Sequence, residues 1–322
     1  MTKIKFFGLA FLVLLVIAFS GIAAIWAPDR SAEALSTRWA PPPSQFVLID
    51  GMKVHLRDEG PRDDPMPLIF LHGTSSSLHT WEGWTQVLKE KRRVVRVDLP
   101  GFGLTGPTAA GDYRMQVYSQ FVASVMDALQ IQRAVLVGNS LGGYVAWKTA
   151  VDYPERVGKL VLVDAAGYAT AATSVPIGFK LAQIPALSKL MGHVLPRAVI
   201  ESSLKNVYAD PSKITPELID RYYELALRAG NRQSLAARFA QNKPGEFENQ
   251  IKNIKQPTLI IWGGLDRLIP PDNAQRFHSD IAKSRLVLFD KLGHVGHEED
   301  PASTVAVAQE FLQMKFETQS PP

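Results

Sequence analysis

One short stretch constrains this chain more than any other: Ala134-Val135-Leu136-Val137-Gly138-Asn139-Ser140-Leu141-Gly142-Gly143. An apolar run ends in a serine flanked by glycines, and a helical pattern follows from Tyr144 to Tyr153. A strand that turns at once into a helix holds the central serine in a strained backbone conformation, where a Cβ at either glycine collides with neighbouring chain. Ser140 is thereby expected to stand out above the end of a buried strand. The helix supplies N–H groups without intrahelical acceptors and the positive end of its dipole, so the Leu141 N–H is placed to hold an oxyanion beside Ser140.

The rest of the chain repeats the same alternation. Residues 46–49 and 52–57 flank Asp50-Gly51, a hairpin signal. Strand-like runs at 68–71, 93–98, 160–164, 257–263 and 285–289 are separated by helical spacing at 115–129 and, after the last strand, at 303–315. Strands alternating with helices imply an α/β fold, a mainly parallel twisted sheet with helices on both faces. A length of 322 residues, 46% of them hydrophobic, is enough for its core. Between 167 and 255 no strand-like run occurs, while 216–228 and 233–241 have helical spacing and prolines punctuate the segment. We read 167–255 as an inserted helical cap and 45–166 with 256–316 as the core. Ligands of open α/β sheets bind beyond the carboxyl ends of the strands, so the cap is expected to roof the serine.

The N-terminus predicts a membrane segment. After Lys3 and Lys5, residues 6–28 carry no charge and are long enough to cross a bilayer as a helix. Residues 1–28 are expected to be a retained anchor, with Trp26 at the interface and the N-terminus inside. Cleavage after a signal segment, giving a secreted or periplasmic protein, is the alternative. Residues 29–44, with Pro41-Pro42-Pro43, read as a stiff spacer. This places the folded domain outside the cytoplasm, tethered to the membrane, where it would meet lipid-like molecules. Without Lys3 and Lys5 the chain has 33 basic against 31 acidic residues, which is no nucleic-acid signature. The absence of cysteine excludes disulfides, thiolate catalysis and Cys-based metal sites.

The order of motifs resembles the α/β-hydrolase superfamily in its lidded serine esterase/lipase branch, over residues 46–314. The matching residues are His72-Gly73-Thr74, Asp98-Leu99-Pro100-Gly101-Phe102-Gly103, Gly138-Asn139-Ser140-Leu141-Gly142-Gly143, Gly263-Gly264-Leu265-Asp266 and Gly293-His294, followed by Glu299-Asp300-Pro301. The resemblance implies a triad in chain order serine, acid, histidine. Ser140 would be the nucleophile, His294 its base and Asp266 the acid that orients the imidazole. The oxyanion donors would be the N–H groups of Thr74 and Leu141. Ester hydrolysis through an acyl-enzyme on Ser140 follows as the expected activity, with no cofactor.

Rivals exist for several roles. His297 competes with His294 as base, and Asp164 and Asp290 compete with Asp266. Asp98 resembles a family position that organises the loop after it, and is expected to be structural. His294, His297 and Glu298 lack the helical spacing of a zinc motif, so no metal is expected. The hydroxyls of Ser75, Ser76 and Ser77 are expected to cap the helix bearing Trp81 and Trp84. Arg228, Arg232 and Arg238 are read as a solvated cap face. A serine at the elbow argues against the dehalogenase and epoxide-hydrolase relatives. Hydrolases of carbon–carbon bonds in ring-cleavage products share the asparagine before the nucleophile, but usually place tryptophan where this chain has Val295. A haloperoxidase or perhydrolase, and a binding module without turnover, are further alternatives.

Overall fold

A computed structural model of the chain describes residues 25–169, 171–184 and 192–314. Its strands are β1 (Ser44–Ile49), β2 (Met52–Glu59), β3 (Leu68–Leu71), β4 (Val94–Val97), β5 (Ala134–Asn139), β6 (Val157–Val163), β7 (Thr258–Gly263) and β8 (Ser284–Phe289). They form one sheet in the order β1-β2-β4-β3-β5-β6-β7-β8. Its helices are α1 (Ala32–Trp39), α2 (Glu82–Leu88), α3 (Met115–Ala128), α4 (Leu141–Asp152), α5 (Ile177–Ala182), α6 (Arg197–Val207), α7 (Pro216–Ala226), α8 (Asn231–Gln241), α9 (Asp272–Asp280), α10 (Gly296–Glu299) and α11 (Pro301–Gln313).

The β1–β2 hairpin turns on Asp50 and Gly51, both at positive φ (48° and 78°), as a twist-matched two-residue turn requires. β2 pairs antiparallel with β4, and every pair beyond that is parallel. The central strands β3, β5 and β6 are buried along their whole length, which is why they read as unbroken apolar runs. Alternate side chains feed two cores. Ile69, Leu71, Leu136, Leu160 and Leu162 join Phe121 of α3, Trp147 of α4 and Phe277 of α9. Leu68, Phe70, Val135, Val137 and Val161 join Trp84 of α2 and Phe311 of α11 on the other face. The sheet is therefore covered on both sides, as expected for an α/β-hydrolase fold.

Helix ends differ from the periodicity for local reasons. α11 begins at Pro301, two residues earlier than expected, because proline at the first helical position lacks only an N–H that has no acceptor there. The Asp300 carboxylate accepts the Ser303 N–H at 3.2 Å and completes the cap. Thr215 does the same for α7, accepting the Leu218 N–H at 3.1 Å. Among the described residues, the segment between β6 and β7 contains no strand; it carries α5 to α8.

The N-terminal expectations are corrected. No described helix is long and apolar enough to cross a membrane. The last residues of the expected span pair with the segment before α6: the Ala27 N–H donates to the His193 carbonyl at 2.9 Å, and the Leu195 N–H donates to Ile25 at 3.1 Å. Trp26, expected at a bilayer interface, stacks on His193 with ring centroids 5.7 Å apart. A membrane-anchored protein with its catalytic domain outside the cytoplasm is therefore not supported; residues 1–24 lie outside the described residues. Nor is 29–44 an extended spacer. It contains α1, whose Leu35 and Trp39 are buried against Leu104 and Leu225. The Trp39 Nε1–H donates to Glu224 at 2.7 Å. Apolar residues at helical spacing found a partner surface on α7, which the proline run hid from a local reading.

Candidate active site

The site begins where β5 ends. Ser140 has φ 54° and ψ −115°, a region that side chains avoid, and the next residue opens α4. The strain is held from both sides: the Ser140 N–H donates to Val163 at 3.1 Å and its carbonyl accepts the Tyr144 N–H at 3.0 Å. The glycines are sterically required. A Cβ on Gly138 would lie 2.1 Å from the Gly142 carbonyl oxygen, and one on Gly142 would lie 2.0 Å from that of Leu71. Leu141, as first residue of α4, carries an N–H that no intrahelical carbonyl can reach.

His294 and Asp266 arrive on the loops after β8 and β7. The His294 Nδ1 lies 2.6 Å from Asp266 Oδ2. The other Asp266 oxygen accepts the N–H groups of Leu268 at 2.8 Å and Ile269 at 2.9 Å, which fixes the direction of the carboxylate. The His294 N–H donates to Val207 at 2.8 Å. Two side chains that the sequence reading used only as motif markers complete the support. Asn139 donates from Nδ2 to the His294 carbonyl at 2.9 Å and to the Val163 carbonyl at 3.2 Å. Buried Glu299 accepts the Gly293 N–H at 2.9 Å and the Asp210 N–H at 2.7 Å, joining the histidine loop to the segment after α6. Nothing local marks either role, because both partners are distant in the chain.

The His294 Nε2 is buried and has no hydrogen-bond partner. It shares a cavity of about 110 Å³ with Ser140 and Thr74, while Asp266 stands behind it. That volume holds several waters or the reacting end of a small molecule. Its walls are largely apolar, with Phe179, Val199, Leu204, Leu235 and Val295 among them. Ser75 and Ser76 also line it. They do not cap the following helical turn, and the Ser77 Oγ bonds His79 Nδ1 at 3.0 Å instead.

The rivals are placed elsewhere. His297 is fully buried against Trp81, with Nε2 3.0 Å from Thr80 Oγ1, and burial pushes its pKa down to about 3. Asp290 is exposed. Asp98 bonds His55 Nδ1 at 2.7 Å and accepts the N–H groups of Leu78 and Leu104 at 2.7 and 2.8 Å, which suits the loop-organising role expected of it. Asp164 is closer to the site than expected. One ligand atom from each of Asp164, Asp266 and His294 falls within a 4.8 Å cluster. Burial, then the charge of Asp266, pushes the Asp164 carboxyl well above its ordinary value. These three donors could hold a cation, but the Nδ1 of His294 is already committed to Asp266.

The chain matches the model of the alpha/beta hydrolase fold family over residues 66–301. It is 30% identical to the uncharacterized hydrolase YugF of Bacillus subtilis (strain 168), over 80% of this chain and 94% of that one. It is also 30% identical to a 2-hydroxymuconate semialdehyde hydrolase of Pseudomonas sp. (strain CF600), covering 83% and 92% of the two chains. Among solved structures, the meta-cleavage product hydrolase CumD of Pseudomonas fluorescens IP01 superposes with a TM-score of 0.72 at 26% identity, covering 83% of this chain and 97% of that one. Its sheet order, covered faces and serine corner agree with these matches: the chain belongs to the α/β hydrolase fold family and is a hydrolase.

Proposed function

We propose that Ser140, His294 and Asp266 form a nucleophile, base and orienting acid, and that the bond they break is a carbon–carbon bond beside a ketone in a small ring-cleavage product. The relatives named above favour this bond over the ester expected from sequence. The observation that carries the chemistry is the unpartnered His294 Nε2, facing the same cavity as Ser140 while its Nδ1 is bonded to Asp266. Ser140 Oγ attacks the carbonyl carbon as His294 Nε2 takes its proton, and the oxyanion rests on the N–H groups of Thr74 and Leu141. The carbon–carbon bond then breaks, its electrons passing into the conjugated leaving fragment, which takes the proton from His294. Water repeats the route: it gives a proton to His294, its oxygen bonds the acyl carbon, and the C–O bond to Ser140 breaks as the serine regains that proton.

Ester cleavage is the second reading, and one residue favours it. Val295, where carbon–carbon hydrolases of this kind usually have tryptophan, packs among Leu204 and Tyr208. Turnover of a dienoate ring-cleavage product, followed by loss of its colour, should be compared with hydrolysis of p-nitrophenyl esters of graded length in the intact protein and in Ser140→Ala. The carbon–carbon reading expects kcat/KM on the dienoate to exceed that on every ester, with both lost in Ser140→Ala. Faster ester turnover selects the second reading, and activity that survives Ser140→Ala overturns both.

A further inference from the structure

A second serine, histidine and aspartate meet at the β1 edge of the sheet. β1 and β2 pair antiparallel with Ser44 opposite Arg57 and Phe46 opposite His55, so the alternation of side chains puts these residues on one face, with Ser44 diagonal to His55. β4 lies on the other side of β2 and continues into Asp98, whose N–H donates to the His55 carbonyl at 3.0 Å. The side chains join in a line: His55 Nδ1 lies 2.7 Å from Asp98 Oδ2, and His55 Nε2 lies 3.0 Å from Ser44 Oγ.

The carboxylate fixes the tautomer. Burial alone would raise the Asp98 carboxyl, but the charge and hydrogen bond of His55 outweigh it and hold the group well below the ordinary carboxylate range. An ionised carboxylate only accepts, so the His55 proton sits on Nδ1 and Nε2 is left as the acceptor of the Ser44 hydroxyl. Arg57 Nε donates to the same Ser44 oxygen at 2.9 Å, so negative charge gathering there as the proton leaves would meet a guanidinium. Arg57 is 7% exposed, as is Arg232 of α8, which was expected on a solvated face. His55 and Asp98 are fully buried, whereas Ser44 is half-buried between exposed Pro43 and Gln45. The hydroxyl is therefore the end of the line that reaches the surface.

We propose that Ser44 is a second activated nucleophile, a modification site that takes an acyl group from small activated esters, with His55 as its base. Ser44 Oγ bonds the carbonyl carbon as its proton passes to His55 Nε2, and the bond to the leaving phenolate breaks with its electron pair; His55 then releases the proton to solvent. The inference does not depend on the roles proposed for Ser140, Asp266 and His294. The Ser44 N–H is spent on the Pro41 carbonyl at 3.0 Å, so it cannot hold the oxyanion as the Leu141 N–H is placed to do beside Ser140. Acylation is accordingly expected to stop at one equivalent without turnover.

The test treats the Ser140→Ala protein with p-nitrophenyl acetate and locates the acetyl group by peptide mass mapping over time. Ser44 should take up one equivalent about 100-fold faster than Ser279, which is exposed on α9, the lower end of what a positioned base contributes. Adding Ser44→Ala should remove that equivalent, and adding His55→Gln should bring the Ser44 rate down to that of Ser279. A cooperative urea transition shows that each variant has folded, and the ratio of the Ser44 and Ser279 rates decides the matter if His55→Gln does not fold. Equal rates at the two serines, or a Ser44 rate unchanged in folded His55→Gln, overturns the activated serine and leaves the reading of the Ser140 cavity as it stands.

Discussion

The side-chain amide of Asn139 and the backbone carbonyl of His294, 155 positions apart, are joined by a hydrogen bond of 2.9 Å. The residue that precedes the proposed nucleophile thus also positions the loop bearing the proposed base. Replacing it, Asn139→Ala, removes the donor to the buried His294 carbonyl and leaves the Val163 carbonyl with the Ser140 N–H, at a cost to stability of about 1–3 kcal/mol. If the amide also aims the imidazole, kcat should fall about 10- to 100-fold, with a smaller change in KM. A lower unfolding midpoint with unchanged kcat would reduce Asn139 to a structural tie.

Two carboxyls stand near His294, and they should not be equivalent. Asp266 makes the direct bond to Nδ1, whereas Asp164 accepts the Gly263 N–H at 2.8 Å on one oxygen and leaves the other unpartnered. Asp266→Asn is expected to lower kcat by about 10⁴-fold, through loss of the imidazole orientation. Asp164→Asn should cost less than about tenfold, since an amide oxygen can keep the bond to the Gly263 N–H. The reverse ranking would transfer the orienting role to Asp164.

The serine corner should trade stability for its chemistry. At φ 54° and ψ −115°, any side chain is strained and glycine is not. Both Ser140→Ala and Ser140→Gly remove the hydroxyl, so comparing them isolates the backbone term. Ser140→Gly should be the more stable by about 1 kcal/mol in urea unfolding, while both are inactive. Equal or lower stability for the glycine variant would mean the corner is not strained.

Acid sensitivity should come from buried histidines. Burial lowers His72 and pushes His79 and His297 down to about 3, from an ordinary value of 6.5. His79 and His297 stay neutral in the fold as pH falls below 6.5, while the unfolded chain takes up a proton at each. Stability should therefore drop between pH 6.5 and about 3, by at most about 1.4 kcal/mol per pH unit for each of these two histidines, and His72 adds to the loss with the same sign. Asp164 acts with the opposite sign, since its raised carboxyl is easier to protonate in the fold, and offsets part of the slope. His297→Gln should flatten the dependence of the urea midpoint on pH. A midpoint flat from pH 7 to pH 5 in the intact protein, by contrast, would show that these imidazoles do not titrate as buried groups.

α1 and α9 were not legible in the sequence, whereas the strands in their chain order, the hairpin at Asp50-Gly51 and the serine corner were. Each rests on interactions within a few residues: side-chain periodicity, the φ a glycine permits, or the clash a Cβ would make. The proposed triad residues could be named only with the help of a resemblance, because the loops carrying Asp266 and His294 meet β5 through sheet order and not through sequence. Tertiary structure alone decided the rest. Residues 25–39 read as the end of an anchor and a spacer, since nothing nearby shows that Ala27, Leu35 and Trp39 have cap surfaces to bury against. Arg232 read as solvated, since a helix wheel gives its face but not what lies opposite. Local geometry is written in neighbouring residues, whereas burial, charge partners and shared cavities depend on which distant surfaces fold together.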